Sequence, residues 1–227
     1  MTEKLIQDII QWDVRSWSKA LHYWDKTVNW SSVGNALELG GREGGLSLWL
    51  ALKGIPVICS DLENVKQTAL PLHSKYPVKN LITYEDLNAL ALPYENHFDI
   101  IVFKSIIGGI GRKDSPGTQQ KVFDEIYKAL KPGGKLLFAE NMKASALHQK
   151  SRQLFTEWKD YWHYVPAEDM KAYLQAFSSF TMRFTGFLGT FGRNERQKQI
   201  LAAADDVIFN WSCPDSWKYI AYGIAVK

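Results

Sequence analysis

Cysteine is nearly missing: Cys59 and Cys213 are the only two in 227 residues. That excludes a disulfide framework and a cysteine-built metal site. No pair of histidines or acids has metal-ligand spacing either, so no metal is expected. No stretch approaches the ~20 consecutive apolar residues of a membrane span. The net charge is only +3 and no run of Lys and Arg exceeds two, which does not suit a nucleic-acid partner. Internal repeats and low-complexity linkers are missing too. The N-terminus, MTEKLIQDIIQWD, places acids in its first turns and does not read as a signal peptide. The expectation is a cytoplasmic protein, with the sequons at Asn29 and Asn210 unused. Oligomeric state is not legible.

What is present is an ordinary globular composition, 46% hydrophobic and 22% charged, enough to bury one core. It is unusually rich in aromatics, with nine Trp, ten Tyr and eleven Phe. Apolar residues at 5, 9, 10, 12, 14, 17, 21 and 24 predict one or two amphipathic helices ahead of the first strand. Trp12, Trp17 and Trp24 in this stretch read either as core contacts or as part of a lid over a ligand.

The chain is organised around Asn35 to Asp61, NALELGGREGGLSLWLALKGIPVICSD. A short apolar run breaks at Gly40-Gly41, resumes past Gly44-Gly45 with a leucine-rich helical segment, and returns as Val57-Ile58-Cys59 before Asp61. This is strand, glycine turn, helix, strand, acidic residue, a unit suited to a nucleotide. Glycines let the backbone approach the ligand and the helix start offers free N–H groups. Further strands are predicted at Asn80–Tyr84, Phe98–Phe103 and Lys135–Glu140. A helix starting at Ser115-Pro116, and one over 64–75 that Pro71 should end or kink near Leu70, lie between them. Helices are predicted over Ser145–Tyr164, Pro166–Phe177 and Asn194–Ile208, and edge strands over Thr181–Leu188 and Lys218–Val226. The fold class is α/β: a doubly wound, seven-stranded, mostly parallel sheet with an antiparallel C-terminal hairpin and a helical N-terminal cap.

Glu38-Leu39-Gly40-Gly41-Arg42-Glu43-Gly44 is similar to the E/D-x-G-x-G-x-G turn of the Rossmann-like, S-adenosylmethionine-dependent methyltransferases, with Arg42 where a glycine usually stands. Asp86-Leu87 after the third strand, Leu92-Pro93…Phe98-Asp99 and Leu130-Lys131-Pro132-Gly133-Gly134 resemble later steps of that family, so the resemblance covers roughly 35 to 140. It implies residues 1–33 as a cap and 34–227 as the methyltransferase domain, with substrate-side helices at 145–177 and an insertion at 192–216. It also implies S-adenosylmethionine as cofactor. Glu38, Gly40, Gly41, Arg42, Gly44 and Lys104 would lie at the methionine end, Asp61 and Leu62 at the ribose, Asp86 and Leu87 at the adenine.

For catalysis the candidates are His163, as a base taking a hydroxyl proton, and Lys104, as a cation beside the acceptor. Trp17, Trp24, Asn141 and Tyr164 are candidate substrate contacts, and Glu140 ends the same strand as Asn141. The family's Asn/Asp-Pro-Pro-Tyr step is missing, which argues against N-methylation of adenine or glutamine. The expected reaction is O-methylation of a small-molecule hydroxyl, with a saccharide or glycan precursor first because Trp and Tyr stack on such bodies. Two alternatives stay open. One is an NAD(P)-dependent oxidoreductase, since Gly40 and Gly45 also match the outer glycines of GxGxxG and Asp61 follows Gly40 by 21 residues. The other is a methyltransferase-like binding protein without catalysis, because Arg42 departs from the motif.

Overall fold

Strand β1 (Ala36–Leu39), buried at all four residues, lies at the centre of a parallel array. Around it run β2 (Val57–Asp61), β3 (Ile82–Asp86), β4 (Phe98–Lys104) and β5 (Leu130–Asn141). Strand β7 (Ile220–Val226) runs antiparallel between β5 and β6 (Ser179–Thr185). The sheet order is β3-β2-β1-β4-β5-β7-β6. This computed structural model describes residues 1–227 except residue 79 and the segments 111–116 and 156–161.

Helices cover both faces. α1 (Glu3–Ile10), α2 (Val14–Thr27), α3 (Gly45–Ala51) and α4 (Val65–His73) share one core layer with Ala36, Val57 and Ile100. α5 (Ile107–Ile110) follows β4. On the other face, α6 (Thr118–Ala129) and α8 (Ala167–Tyr173) pack on Leu37, Leu39, Phe103 and Phe138. Alternation along β1 sends Leu37 and Leu39 to one layer and Ala36 and Glu38 to the other, as a strand period of two requires.

The N-terminal stretch forms two helices because the chain turns at Gln11 and Asp13, both in the left-handed region at φ +72° and +47°. Trp17 and Trp24 are each 1% exposed. Trp24 donates its indole N–H to the Gly223 carbonyl (2.9 Å) and packs on Trp49. Their place is the core, not a lid or a substrate wall. The residue between the two turns, Trp12, is the one left facing outward.

Pro71 does not end α4. The helix runs on to His73, because Pro71 and the Gln67 carbonyl it would crowd lie on the exposed side while Leu72 and His73 are buried. The helix predicted over Ser145–Tyr164 is described as α7 (Ala146–Phe155), and Trp162-His163-Tyr164 are not helical. They are held instead by a His163 N–H bond to the Gly108 carbonyl and a bridge between Val165 and Met142. The Ser115-Pro116 helix start lies outside the described residues, as do residues 156–161 of the aromatic stretch.

The insertion after β6 packs back on the N-terminal helices. In α9 (Glu195–Ala204), Glu195 accepts from the Asp13 and Val14 N–H groups at the start of α2 (2.9 and 2.7 Å). Asp206 pairs with Arg15 and Lys19. Buried Asp205 accepts from the backbone N–H groups of Phe187, Leu188 and Gly189, fixing the turn after β6. These are charge-assisted bonds to N–H groups that no strand or helix satisfies.

Candidate active site

The C-terminal ends of β1, β2, β4 and β5 open onto one rim, the usual ligand position in an open parallel sheet. On that rim, Gly40 (φ +62°) and Gly44 (φ +72°) carry the turn from β1 into α3. A Cβ on Gly40 would lie 2.4 Å from the Ile106 side chain, and one on Gly44 2.5 Å from His73. The turn therefore needs glycine for both conformation and space. His73 braces it from behind: its ring nitrogens pair with the Gly44 carbonyl and the Tyr84 hydroxyl, both at 2.8 Å.

Glu38 lies beneath this turn, 3% exposed, and accepts from the Leu46 and Ser47 N–H groups at the start of α3 (3.1 and 2.8 Å). Burial pushes its carboxyl up from 4.5 to about 7, against those bonds. Asp61, at the end of β2, accepts from the Arg42 N–H through one oxygen and from the Leu62 N–H through the other (2.8 and 2.7 Å).

Two cavities flank Arg42. The first, about 540 Å³, is bounded by Leu39, Gly40, Asp61, Leu62, Leu87, Asn88, Ile106 and Ile110. The second, about 410 Å³, is lined by Trp12, Asn141 and Tyr164. Arg42, Ser105 and Trp162 line both, so the two spaces meet there. Trp162 lies flat on the loop after β4, where a Cβ on Gly108 would come within 2.0 Å of its indole nitrogen. A narrow recess by Glu38, Gly41 and Lys104 is closed over by Ile9, Gln11 and Trp12.

Lys104 donates to the Ile10 carbonyl (2.8 Å), and its ammonium sits 2.9 Å from the centroid of Trp12. Burial, then the nearby Arg42 charge, holds its pKa well below 10.5. It faces the recess and lines neither large cavity. His163 is exposed and lines neither cavity. Asp86 also departs from expectation. Its two oxygens accept from the Asn64 and Val65 N–H groups (both 3.0 Å), capping α4, while Leu87 beside it lines the first cavity.

Asn141 donates to the Ser105 hydroxyl (2.6 Å) at the edge of the second cavity. Tyr164 is backed by Arg152, whose guanidinium lies 3.6 Å from its ring centroid. Glu140 is fully buried and does not reach this space. It accepts from the Ile106, Ile107 and Asn141 N–H groups (2.8–2.9 Å) and so pins the loop after β4, where Ser105 is left-handed at φ +58°. Of the three cap tryptophans read from the sequence as core or lid, Trp12 is the one that lines the recess and the second cavity, whereas Trp162 and His73 were not singled out. Those two depend on packing between distant segments.

A family model described as a methyltransferase domain matches residues 15–180. The chain belongs to that family, and its fold is that of the class I, Rossmann-like, S-adenosylmethionine-dependent methyltransferases. Among curated protein sequences none matches significantly. Among solved structures it is similar to phosphoethanolamine N-methyltransferase 2 of Haemonchus contortus, crystallised with S-adenosyl-L-methionine. The TM-score is 0.63 and the identity 17%, over 93% of this chain and 52% of that one. The chain thus spans about half the length of that protein. It is also similar to a SAM-dependent methyltransferase from Archaeoglobus fulgidus (TM-score 0.63, 12% identity, 92% and 93% of the two chains). An O-methyltransferase family protein from Burkholderia thailandensis gives a TM-score of 0.65 at 10% identity over 92% of this chain and 56% of that one. At these identities the likeness speaks to the fold. No helix among the described residues is long and apolar enough to cross a membrane.

Proposed function

We propose that the chain transfers a methyl group from S-adenosylmethionine to an oxygen of a small molecule. The observation that carries this reading is the meeting of two cavities at Arg42, Ser105 and Trp162, at the C-terminal edge of the sheet. The first cavity suits the donor. Its floor is a glycine turn that a Cβ would fill, and the oriented Asp61 carboxylate stands at its rim. Asp61 and Leu62 would hold the ribose, and Leu87 with Asn88 the adenine. Gly40, Gly41 and Gly44, with Glu38 and Lys104 behind them, would hold the methionine end. Asp86 supports the same region only by capping α4.

S-adenosylmethionine supplies a methyl group already activated on a sulfonium. The protein's task is then to align two reactants and keep water out, a large entropic contribution to rate. The Asn141–Ser105 pair can orient a substrate polar group, and Trp12, Trp162 and Tyr164 offer ring faces to its body. A saccharide and a flat aromatic body both suit such walls, so the O-methyl reading stands without choosing between them.

The oxidoreductase and the non-catalytic reading are separated from this one by binding and turnover. S-adenosylhomocysteine should raise the melting temperature, by linkage worth about 2.7 kcal/mol at 100 times its dissociation constant, while NADH should leave it unchanged. Stabilisation by NADH alone would reject the reading. Binding of the donor with no methyl transfer to any hydroxyl or acid of a substrate panel would favour the non-catalytic one.

A further inference from the structure

We propose that the second cavity takes an acceptor carrying an oxyanion, a carboxylate or a phosphate monoester, on a flat apolar body, and that Arg42 selects it. This rests on the methyl-transfer reading of the same site. Arg42 holds a left-handed backbone, φ +50°, in a turn whose neighbours Gly40 and Gly44 meet the same demand as glycines. That conformation is unfavourable for an L side chain, and an observed outlier at a ligand site is a reason to look for what the side chain does.

What the side chain does is line both large cavities and the recess beside them. The Asp61 carboxylate accepts its backbone N–H, and among the described residues the Arg42 guanidinium forms no ion pair. The guanidinium carbon lies 5.7 Å from the Trp12 ring centroid, and the Lys104 ammonium sits over the same ring. Trp12 thus has two cations close to its ring, and the Arg42 charge adds to burial in lowering the Lys104 pKa. In the second cavity the other described lining groups are neutral: Trp12, Ser105, Asn141, Trp162 and Tyr164.

A guanidinium presents a planar fork of donors that fits the paired oxygens of a carboxylate or phosphate. The three rings fit a flat body beside it. A methyl donor brings a sulfonium toward this same junction. A neutral acceptor would leave like charges facing each other, whereas an anionic one offsets both. The competing partner for Arg42 is the donor's own carboxylate, and the test separates the two.

Calorimetry on the full chain, wild type and Arg42→Gly, would measure S-adenosylhomocysteine first. Benzoate, phenyl phosphate and benzyl alcohol would then be titrated into the saturated protein. Arg42→Gly removes the guanidinium and relaxes the backbone at positive φ, so folding is not at risk. At least one anion should bind wild type about tenfold or more tighter than benzyl alcohol. That preference should vanish in Arg42→Gly, read in protein saturated with S-adenosylhomocysteine. Preference for benzoate over phenyl phosphate, or the reverse, identifies which oxyanion the site reads. Equal or undetectable binding of all three probes overturns the proposal, as does a preference that survives in Arg42→Gly. A loss of S-adenosylhomocysteine affinity of about tenfold in Arg42→Gly also overturns it, by assigning the guanidinium to the donor. Failure of wild type to bind S-adenosylhomocysteine overturns the methyl-transfer reading as well.

Discussion

Asp61→Ala is expected to weaken S-adenosylhomocysteine binding by about 100-fold or more while leaving the fold intact. A hydrogen bond to a charged group contributes about 1.5–3 kcal/mol, so two bonds to ribose hydroxyls account for at least about 3 kcal/mol. That is roughly two decades in affinity. The carboxylate is already aimed, since the Arg42 and Leu62 N–H groups each take one oxygen (2.8 and 2.7 Å). A carboxylate has about four lone-pair sites, which leaves two for a ligand. Because Asp61 is only partly buried, its removal opens no core cavity. Calorimetry with S-adenosylhomocysteine reads the affinity, and a melting curve checks the fold. Unchanged affinity would remove Asp61 from the donor site.

Glu140→Ala should lower stability by about 3 kcal/mol or more. It strips the carboxylate from the Ile106, Ile107 and Asn141 N–H groups, and each buried donor left unpaired costs about 1–3 kcal/mol. The loop it pins carries Ser105 and Ile106 into the cavities, so donor affinity should fall with stability. The side chain also predicts a pH dependence. Burial raises its pKa from 4.5 to about 7, so between these values the folded state holds a proton that the unfolded state has released. Its contribution is therefore fully present below about pH 4.5 and is lost as the pH rises through about 7. Glu38, raised to about 7 by the same cause, acts in the same direction. Denaturant titrations of wild type and Glu140→Gln across pH 5–8 would check this. The variant should lose less stability on going from pH 5 to pH 8, and parallel curves would contradict it.

Most of the architecture is legible in the chain because it is local. Apolar runs at 36–39, 57–59 and 98–103, with glycine turns between strand and helix, lead directly to β1, β2 and β4 in a parallel sheet. The Lys131-Pro132-Gly133-Gly134 step lies within the first residues of β5, ahead of the predicted strand at Lys135–Glu140. The glycine turn and Asp61 are legible for the same reason, since one βαβ unit carries them all. Asp86 is different. An acid after a strand serves equally as a helix cap, and what decides is the approach of the Asn64 and Val65 amides from another segment. Trp17, Trp24 and Trp12 share a helical period, but a left-handed turn on either side of Trp12 sends it to the site while the others are buried. Lys104 meets Ile10 across 94 residues of sequence, and no spacing encodes that contact. His163 lies in a stretch that the aromatic pattern reads as helix, and its N–H bond to the Gly108 carbonyl instead ties it to the loop after β4.

The central claim is that the cavity between the glycine turn, Asp61 and Leu87 holds the methyl donor, with its reactive end toward Arg42, Ser105 and Trp162. A crystal structure of the full chain with S-adenosylhomocysteine tests this most directly. The account predicts ribose hydroxyls on the Asp61 carboxylate, the adenine against Leu87, and the sulfur at the opening into the cavity of Trp12, Asn141 and Tyr164. Density for the ligand elsewhere, such as the separate cleft between Lys143 and Trp217, with the Asp61 cavity empty, would contradict it.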